Sequence, residues 1–358
     1  MKTIFSLGIS LALLATTKVQ AQSEKGKLAN VQATYQILID APIESVWKEL
    51  AVNFGGIGQW ASGVNHVVES SGEGLSAKRF CEINAAGFND TRERIIRYEP
   101  QDYYFEYELY EGLPGFVDYA INKEKLEEKD GKTLWTSKNV MRVGGIFGAT
   151  LKKFMTKKVE DVLAAKAHEL KHFVETGRQH PNKLAAIAKK EKKALFVLDQ
   201  RIDAPVQNVW KVLVEDFSRV ADSHPVSPKS AYFDGSSSPI PGARRIMFMK
   251  ENEKKYFIDE IQELEQENHR LLINVVEAKG YPMKFTQVEF VASHSRKGAT
   301  NLSLVFTYQT NPRFLQGLAK KSLQKQLKQY LQAIDHHVRT GELITSSNWK
   351  EISKNYNL

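Results

Sequence analysis

An internal repeat constrains this chain more than any other feature. Ile39-Asp-Ala-Pro-Ile-Glu-Ser-Val-Trp-Lys48 returns as Ile202-Asp-Ala-Pro-Val-Gln-Asn-Val-Trp-Lys211, 163 positions later. Near the other end, His172-Phe-Val-Glu-Thr-Gly177 returns as His336-His-Val-Arg-Thr-Gly341, 164 positions later. Starts and ends that recur at nearly one offset mean that a whole domain is duplicated. The period is far longer than the roughly 20–50 residues of solenoid repeats. The chain divides into a first domain over 30–178, a basic linker over 179–193, a second domain over 194–342 and a polar tail over 343–358.

Each copy has the same order of elements. A β-branched strand comes first, Val31 to Ile39 or Leu195 to Ile202. Pro42 and Pro205 follow, placed for a first helical turn where a missing N–H costs nothing. A short helix then carries Val46, Trp47 and Leu50, or Val209, Trp210 and Leu213. About six strands come next, separated by turn pairs such as Ser71-Gly72, Asn89-Asp90, Asp130-Gly131 and Asp234-Gly235. Alternation is clear in Phe105, Tyr107 and Leu109, and in Leu302, Leu304, Phe306 and Tyr308.

A long amphipathic helix closes each copy. Its apolar face is Leu151, Met155, Val159, Val162, Leu163, Leu170 and Phe173 in the first. In the second it is Leu315, Ala319, Leu323, Leu327, Leu331, Ile334 and Val338. Gly177 and Gly341 stop these helices. Antiparallel strands followed by one amphipathic helix give an α+β domain, with the helix laid across a sheet face.

Residues 1–21 read as a cleaved secretory signal: Lys2, an apolar run from Ile4 to Ala15, and small residues in Val19-Gln20-Ala21. The expected location is therefore periplasmic or secreted. Cys81 is the only cysteine, so no disulfide can form within the chain, and its expected role is a small apolar side chain on a strand. Without Lys2 and Lys18 the net charge falls from +8 to +6. The excess sits in lysine runs such as Lys152-Lys153, Lys189-Lys190 and Lys320-Lys321. These runs lack the interleaved aromatics that stack on bases, so no nucleic acid is expected as a partner. They do suit transient contact with an anionic membrane surface.

Asp-Ala-Pro-x-x-x-Val-Trp after a first strand resembles the opening of SRPBCC (START-like) domains of the polyketide cyclase/dehydrase and lipid-transport type. Gly74 to Arg79, Glu93-Arg94-Ile95, Leu113-Pro114, Tyr281-Pro282 and Leu134-Trp135-Thr136-Ser137 resemble later family features, in order. The resemblance implies two tandem helix-grip domains, each a curved antiparallel sheet wrapped around a long C-terminal helix, with a cavity between them. It also implies a hydrophobic small-molecule ligand: a lipid, a sterol or a polyketide. A minority of such proteins catalyse cyclisation or dehydration.

The expected cavity walls are Trp60, Phe105, Tyr107, Trp135 and Phe154 in the first copy, and Leu271, Ile273, Phe306, Tyr308 and Leu315 in the second. The same pattern also describes a core with no void. Arg79 with Glu93, and Arg245 with Asp259, recur at an offset of 166. Such a pair either fixes strand register or orients a ligand carbonyl, and the first is favoured. His172 and His336, near the helix ends, suit the helix dipole as cations. His224 falls in a loop at the expected cavity mouth, with no role assigned. No metal motif, cofactor loop or catalytic signature stands in the sequence, so no metal or cofactor is expected. The expected function is an exported carrier of hydrophobic small molecules. The alternatives are a cyclase or dehydratase, and a structural module with filled cavities.

Overall fold

The computed structural model describes residues 29–84, 89–144 and 148–356. The expected signal segment, 1–21, lies outside the described residues, as does the side chain of Leu151.

The first domain opens with β1 (Ala29–Ile39) and α1 (Ile43–Trp47), which runs on as a π-turn to Val52. Pro42 stands one residue before α1, as its N-cap. A 3₁₀ turn at Phe54–Gly56 leads into α2 (Ile57–Trp60). Six strands follow: β2 (Val64–Ser71), β3 (Lys78–Ile83), β4 (Thr91–Glu99), β5 (Tyr104–Glu111), β6 (Val117–Lys129) and β7 (Lys132–Val143). The long helix α3 spans Gly148–Thr176. All neighbouring strands are antiparallel, in the order β1-β7-β6-β5-β4-β3-β2. The β6–β7 hairpin closes on Asp130-Gly131 alone, with φ of 53° and 74°. Positive φ at both central residues marks the two-residue turn that matches strand twist.

Between the domains lies α4 (Pro181–Lys190). The second domain repeats the pattern. It has β8 (Ala194–Ile202), α5 (Val206–Trp210) with its own π-turn, and a 3₁₀ turn at Phe217–Ser223. Its further strands are β9 (Lys229–Phe233), β10 (Arg244–Phe248), β11 (Tyr256–Glu265), β12 (Arg270–Lys279), β13 (Met283–His294) and β14 (Thr300–Thr310). The long helix α6 spans Leu315–Thr340, and its sheet order is β8-β14-β13-β12-β11-β10-β9. The fold is two tandem α+β helix-grip units. No helix among the described residues is long and apolar enough to cross a membrane.

Each core lies between the sheet, the long helix and the short helices after the first strand. Trp47, Phe105 and Leu170 belong to one cluster, and Trp210, Leu271 and Leu331 to the other. Cys81 is fully buried in the first, which pushes its thiol up to about 12. A buried thiol in apolar surroundings packs as a small hydrophobe.

Two expectations need correction. Val162 is 55% exposed and points away from the core, because Leu163 takes the inward position of that turn. The tail after Glu342 is not merely polar: it forms α7 (Ser346–Ile352), whose Trp349 and Ile352 pack with Ile344 on Ala333 of α6. The linker helix α4 holds the matching place in the first copy. Its buried Lys183 donates to the Val64 and Asn65 carbonyls at 2.5 and 3.0 Å.

Candidate ligand site

The recurring Arg–carboxylate pair sits at directly opposed register positions. Arg79 on β3 faces Glu93 on β4, and Arg245 on β10 faces Asp259 on β11. Arg79 Nε and Nη2 lie 2.6 and 2.5 Å from Glu93 Oε2, and Nη1 donates to the Phe54 carbonyl at 2.7 Å. Its guanidinium also covers the Phe54 ring, 3.8 Å from the centroid. In the second copy Arg245 Nε donates to Asp259 at 2.9 Å, Nη1 donates to the Phe217 carbonyl at 3.0 Å, and the guanidinium lies 4.2 Å from the Phe217 ring centroid. The arginine thus ties the strand pair to the turn after the short helix. Burial works against the Arg79 charge, but Glu93 more than offsets it, so the group is held firmly protonated. Removing one member of such a pair costs roughly 3–5 kcal/mol, whereas replacing both is often neutral.

Around this shared pair the two interiors differ in kind. Register aligns Asn122, Glu124, Ser137 and Asn139 with Val288, Phe290, Leu304 and Phe306. It aligns Tyr107 with Ile273, and the repeat offset of the long helices aligns Lys166 with Tyr330. The first interior is therefore polar. Lys166 Nζ lies 2.7 Å from Glu124 Oε1, Trp135 Nε1 donates to Glu124 Oε2 at 2.8 Å, and Asn139 donates to Asn122 at 3.0 Å. Burial opposes the Lys166 charge, and Glu124 and Tyr107 more than restore it.

The second interior is apolar, and it encloses a cavity of about 330 Å³ between sheet and helix. That volume falls at the small end of the range typical of ligand pockets. Ile273, Val288, Phe290 and Phe306 form the sheet wall. Ala319, Leu323, Leu327 and Tyr330, spaced four, four and three along α6, form the helix wall. Polar groups are few. Arg245 and Asp259 stand on one side, with the His224 ring tilted against Tyr330 at 4.7 Å between ring centroids. Thr286 Oγ1 also faces this wall, buried and without a hydrogen-bond partner among the described residues.

His224 is fixed by its backbone. Its Nδ1 accepts from the Val226 and Ser227 N–H groups at 3.1 and 2.9 Å. Burial, with Arg245 nearby, pushes the imidazole down to about 3, so it stays neutral. Burial pushes the Tyr330 phenol up to about 12.

The residues expected from the sequence are distributed unevenly. Ile273, Phe306, Arg245 and Asp259 lie on the cavity wall. Leu271 and Tyr308 pack in the core beside it, Tyr308 donating to the Gln316 carbonyl at 2.7 Å. Leu315 lies at the start of α6, outside the wall. In the first copy Trp60, Phe105, Tyr107 and Trp135 are buried together in the core, and Arg79 and Glu93 are buried beside them. Phe154 is a correction: it is 58% exposed, because Met155 takes the inward position of that turn. His172 is another, since burial and the neighbouring His180 lower its proton affinity and disfavour the cation. Sequence reading missed Tyr330, although its spacing from Ala319, Leu323 and Leu327 places it on the inward stripe. It left His224 unassigned, and no local signal marks it.

An antiparallel sheet packed on a long C-terminal helix, present twice, defines a tandem helix-grip fold. Residues 30–175 match the family described as polyketide cyclase / dehydrase and lipid transport. Among solved structures, the di-domain ARO/CYC BexL from the BE-7585A biosynthetic pathway is similar at 14% identity and a TM-score of 0.35. That match covers 86% of this chain and 98% of the other. The di-domain ARO/CYC StfQ from the steffimycin biosynthetic pathway is similar at 11% identity, a TM-score of 0.35 and the same coverage. TTHA0849 from Thermus thermophilus is similar at 16% identity and a TM-score of 0.36, over 41% of this chain and 99% of its own. No curated protein matches the sequence.

Proposed function

We propose that this chain is an exported binding protein that carries a hydrophobic small molecule in its second repeat. The cavity between the second sheet and α6 carries the reading. Its walls are mostly apolar, with a few placed polar groups, the composition expected of a small-molecule site. In the first repeat the same positions hold a buried ion pair, so that repeat acts as a structural partner. Extraction of the purified full-length protein and mass spectrometry of the extract tests this. The expected result is one apolar molecule per chain. Two per chain would remove the distinction between repeats, and turnover of a bound polyketide would replace carriage by catalysis.

Ligand exchange at a membrane fits the outer face of α6. Phe314 and Leu318 are 73% and 75% exposed, one turn apart, with Lys321 and Lys325 continuing the same line. Apolar side chains beside lysines suit the surface of an anionic bilayer. Co-sedimentation with phosphatidylglycerol vesicles, lost on replacing Phe314 and Leu318 by serine, is the expected result. Equal sedimentation with neutral vesicles would remove the electrostatic part.

A further inference from the structure

The proposed carrier reading leaves open which apolar molecule the cavity selects, and its polar groups narrow the choice. His224 Nδ1 already accepts two backbone hydrogen bonds, so its single proton must sit on Nε2. Nε2 has no protein partner among the described residues, and the ring forms part of the cavity wall. The Tyr330 hydroxyl likewise has no protein partner among the described residues, and its ring lies tilted against His224, 4.7 Å between centroids. A neutral imidazole N–H can only donate, and a buried phenol at neutral pH has a proton to donate. Two adjacent donors left open inside an apolar cavity call for an acceptor with two lone pairs.

We propose that the second-repeat cavity selects a neutral ligand bearing a carbonyl oxygen, which His224 Nε2–H and Tyr330 Oη–H both bind. A carbonyl oxygen takes two donors and leaves no proton of its own unpaired. A carboxylate fits less well. The charged wall residues are Arg245 and Asp259, and they neutralise each other at 2.9 Å. A buried carboxylate would then have no free cation, which is costly in an apolar site. An alkane fills the space but leaves both donors unsatisfied.

The inference rests on the carrier reading, and one experiment separates their failures. The full chain is titrated by calorimetry with a medium-chain methyl ketone, the alkane of equal length and the matching carboxylate. The ketone is expected to bind about tenfold more tightly than the alkane, as one or two retained hydrogen bonds would give. The carboxylate is expected to bind more weakly than the ketone. Tyr330→Phe should erase most of the ketone's advantage over the alkane. His224→Asn, whose side-chain carbonyl can still accept from the Val226 and Ser227 N–H groups, should do the same. Ketone and alkane binding equally, or the carboxylate binding best, overturns this inference and leaves the carrier reading standing. Binding of none of the three overturns both.

Discussion

Lys166 lies 2.7 Å from Glu124 inside the first repeat, at the positions where Tyr330 packs against Phe290 in the second. One fold thus carries a buried ion pair in one copy and an aromatic pair, with ring centroids 6.3 Å apart, in the other. The difference decides where a ligand can go. A charge pair that already meets a tryptophan N–H leaves little for an apolar guest, whereas an aromatic pair presents a dry wall.

The ion pair gives the first prediction. Lys166→Met and Glu124→Leu should each destabilise the protein by roughly 3–5 kcal/mol, because each strands a buried charge. The double replacement should cost much less than the two singles together. Urea denaturation of the four proteins measures the coupling. Additive costs would mean that the two groups do not depend on each other.

Filling the cavity gives the second. Ala319 lies on its helix wall, where a larger side chain has a void to enter. Ala319→Phe should weaken ligand binding by more than about tenfold while costing less than the roughly 1–3 kcal/mol of overpacking in a filled core. Titration alongside thermal melting checks it. Unchanged binding would place the ligand elsewhere.

Acid stability gives the third. His224 has a folded value of about 3 against an ordinary 6.5, so between these values the unfolded chain holds the extra proton. Stability therefore rises with pH through that window and is lost as pH falls below 6.5. The causes are its burial and the Arg245 charge, and the neutral Tyr330 ring lies tilted against it. Acidification from pH 6.5 to 5 should cost about 2 kcal/mol through this residue. His224→Asn should lack that part of the slope in denaturant melts across the range. A parallel slope in the variant would assign the acid sensitivity to the carboxylates.

The tail gives the fourth. Trp349 is buried against Tyr356, Ile352 and the end of α6. Trp349→Ala should cost about 3 kcal/mol, in the range for emptying a buried tryptophan site. A loss under about 0.5 kcal/mol, typical of surface positions, would show the tail to be dispensable for stability.

Export gives the fifth. Cleavage after Val19-Gln20-Ala21, the expectation from the apolar run and these small residues, would leave Gln22 as the mature N-terminus. N-terminal sequencing of protein recovered outside the cytoplasm should read Gln22 first. Retention of Met1 would remove the export reading.

The sequence determined the fold because its signals are local or repeated. Duplicated ends mark the copies, alternation marks the strands, and Gly177 and Gly341 end the long helices, both with positive φ. The Arg–carboxylate pairs were also legible, since residues on adjacent strands recur at one offset. Only the tertiary structure placed the cavity between the second sheet and α6. A cavity is the space left when side chains from several strands and one helix face fail to fill it, so no single segment encodes it. Val162 and Phe154 show the same limit: an apolar residue on an amphipathic helix faces inward or outward according to how the helix is rotated on its sheet. His224 and Tyr330 are 106 positions apart in the sequence, and only packing of the helix against the loop after the second repeat's 3₁₀ turn brings their rings to 4.7 Å.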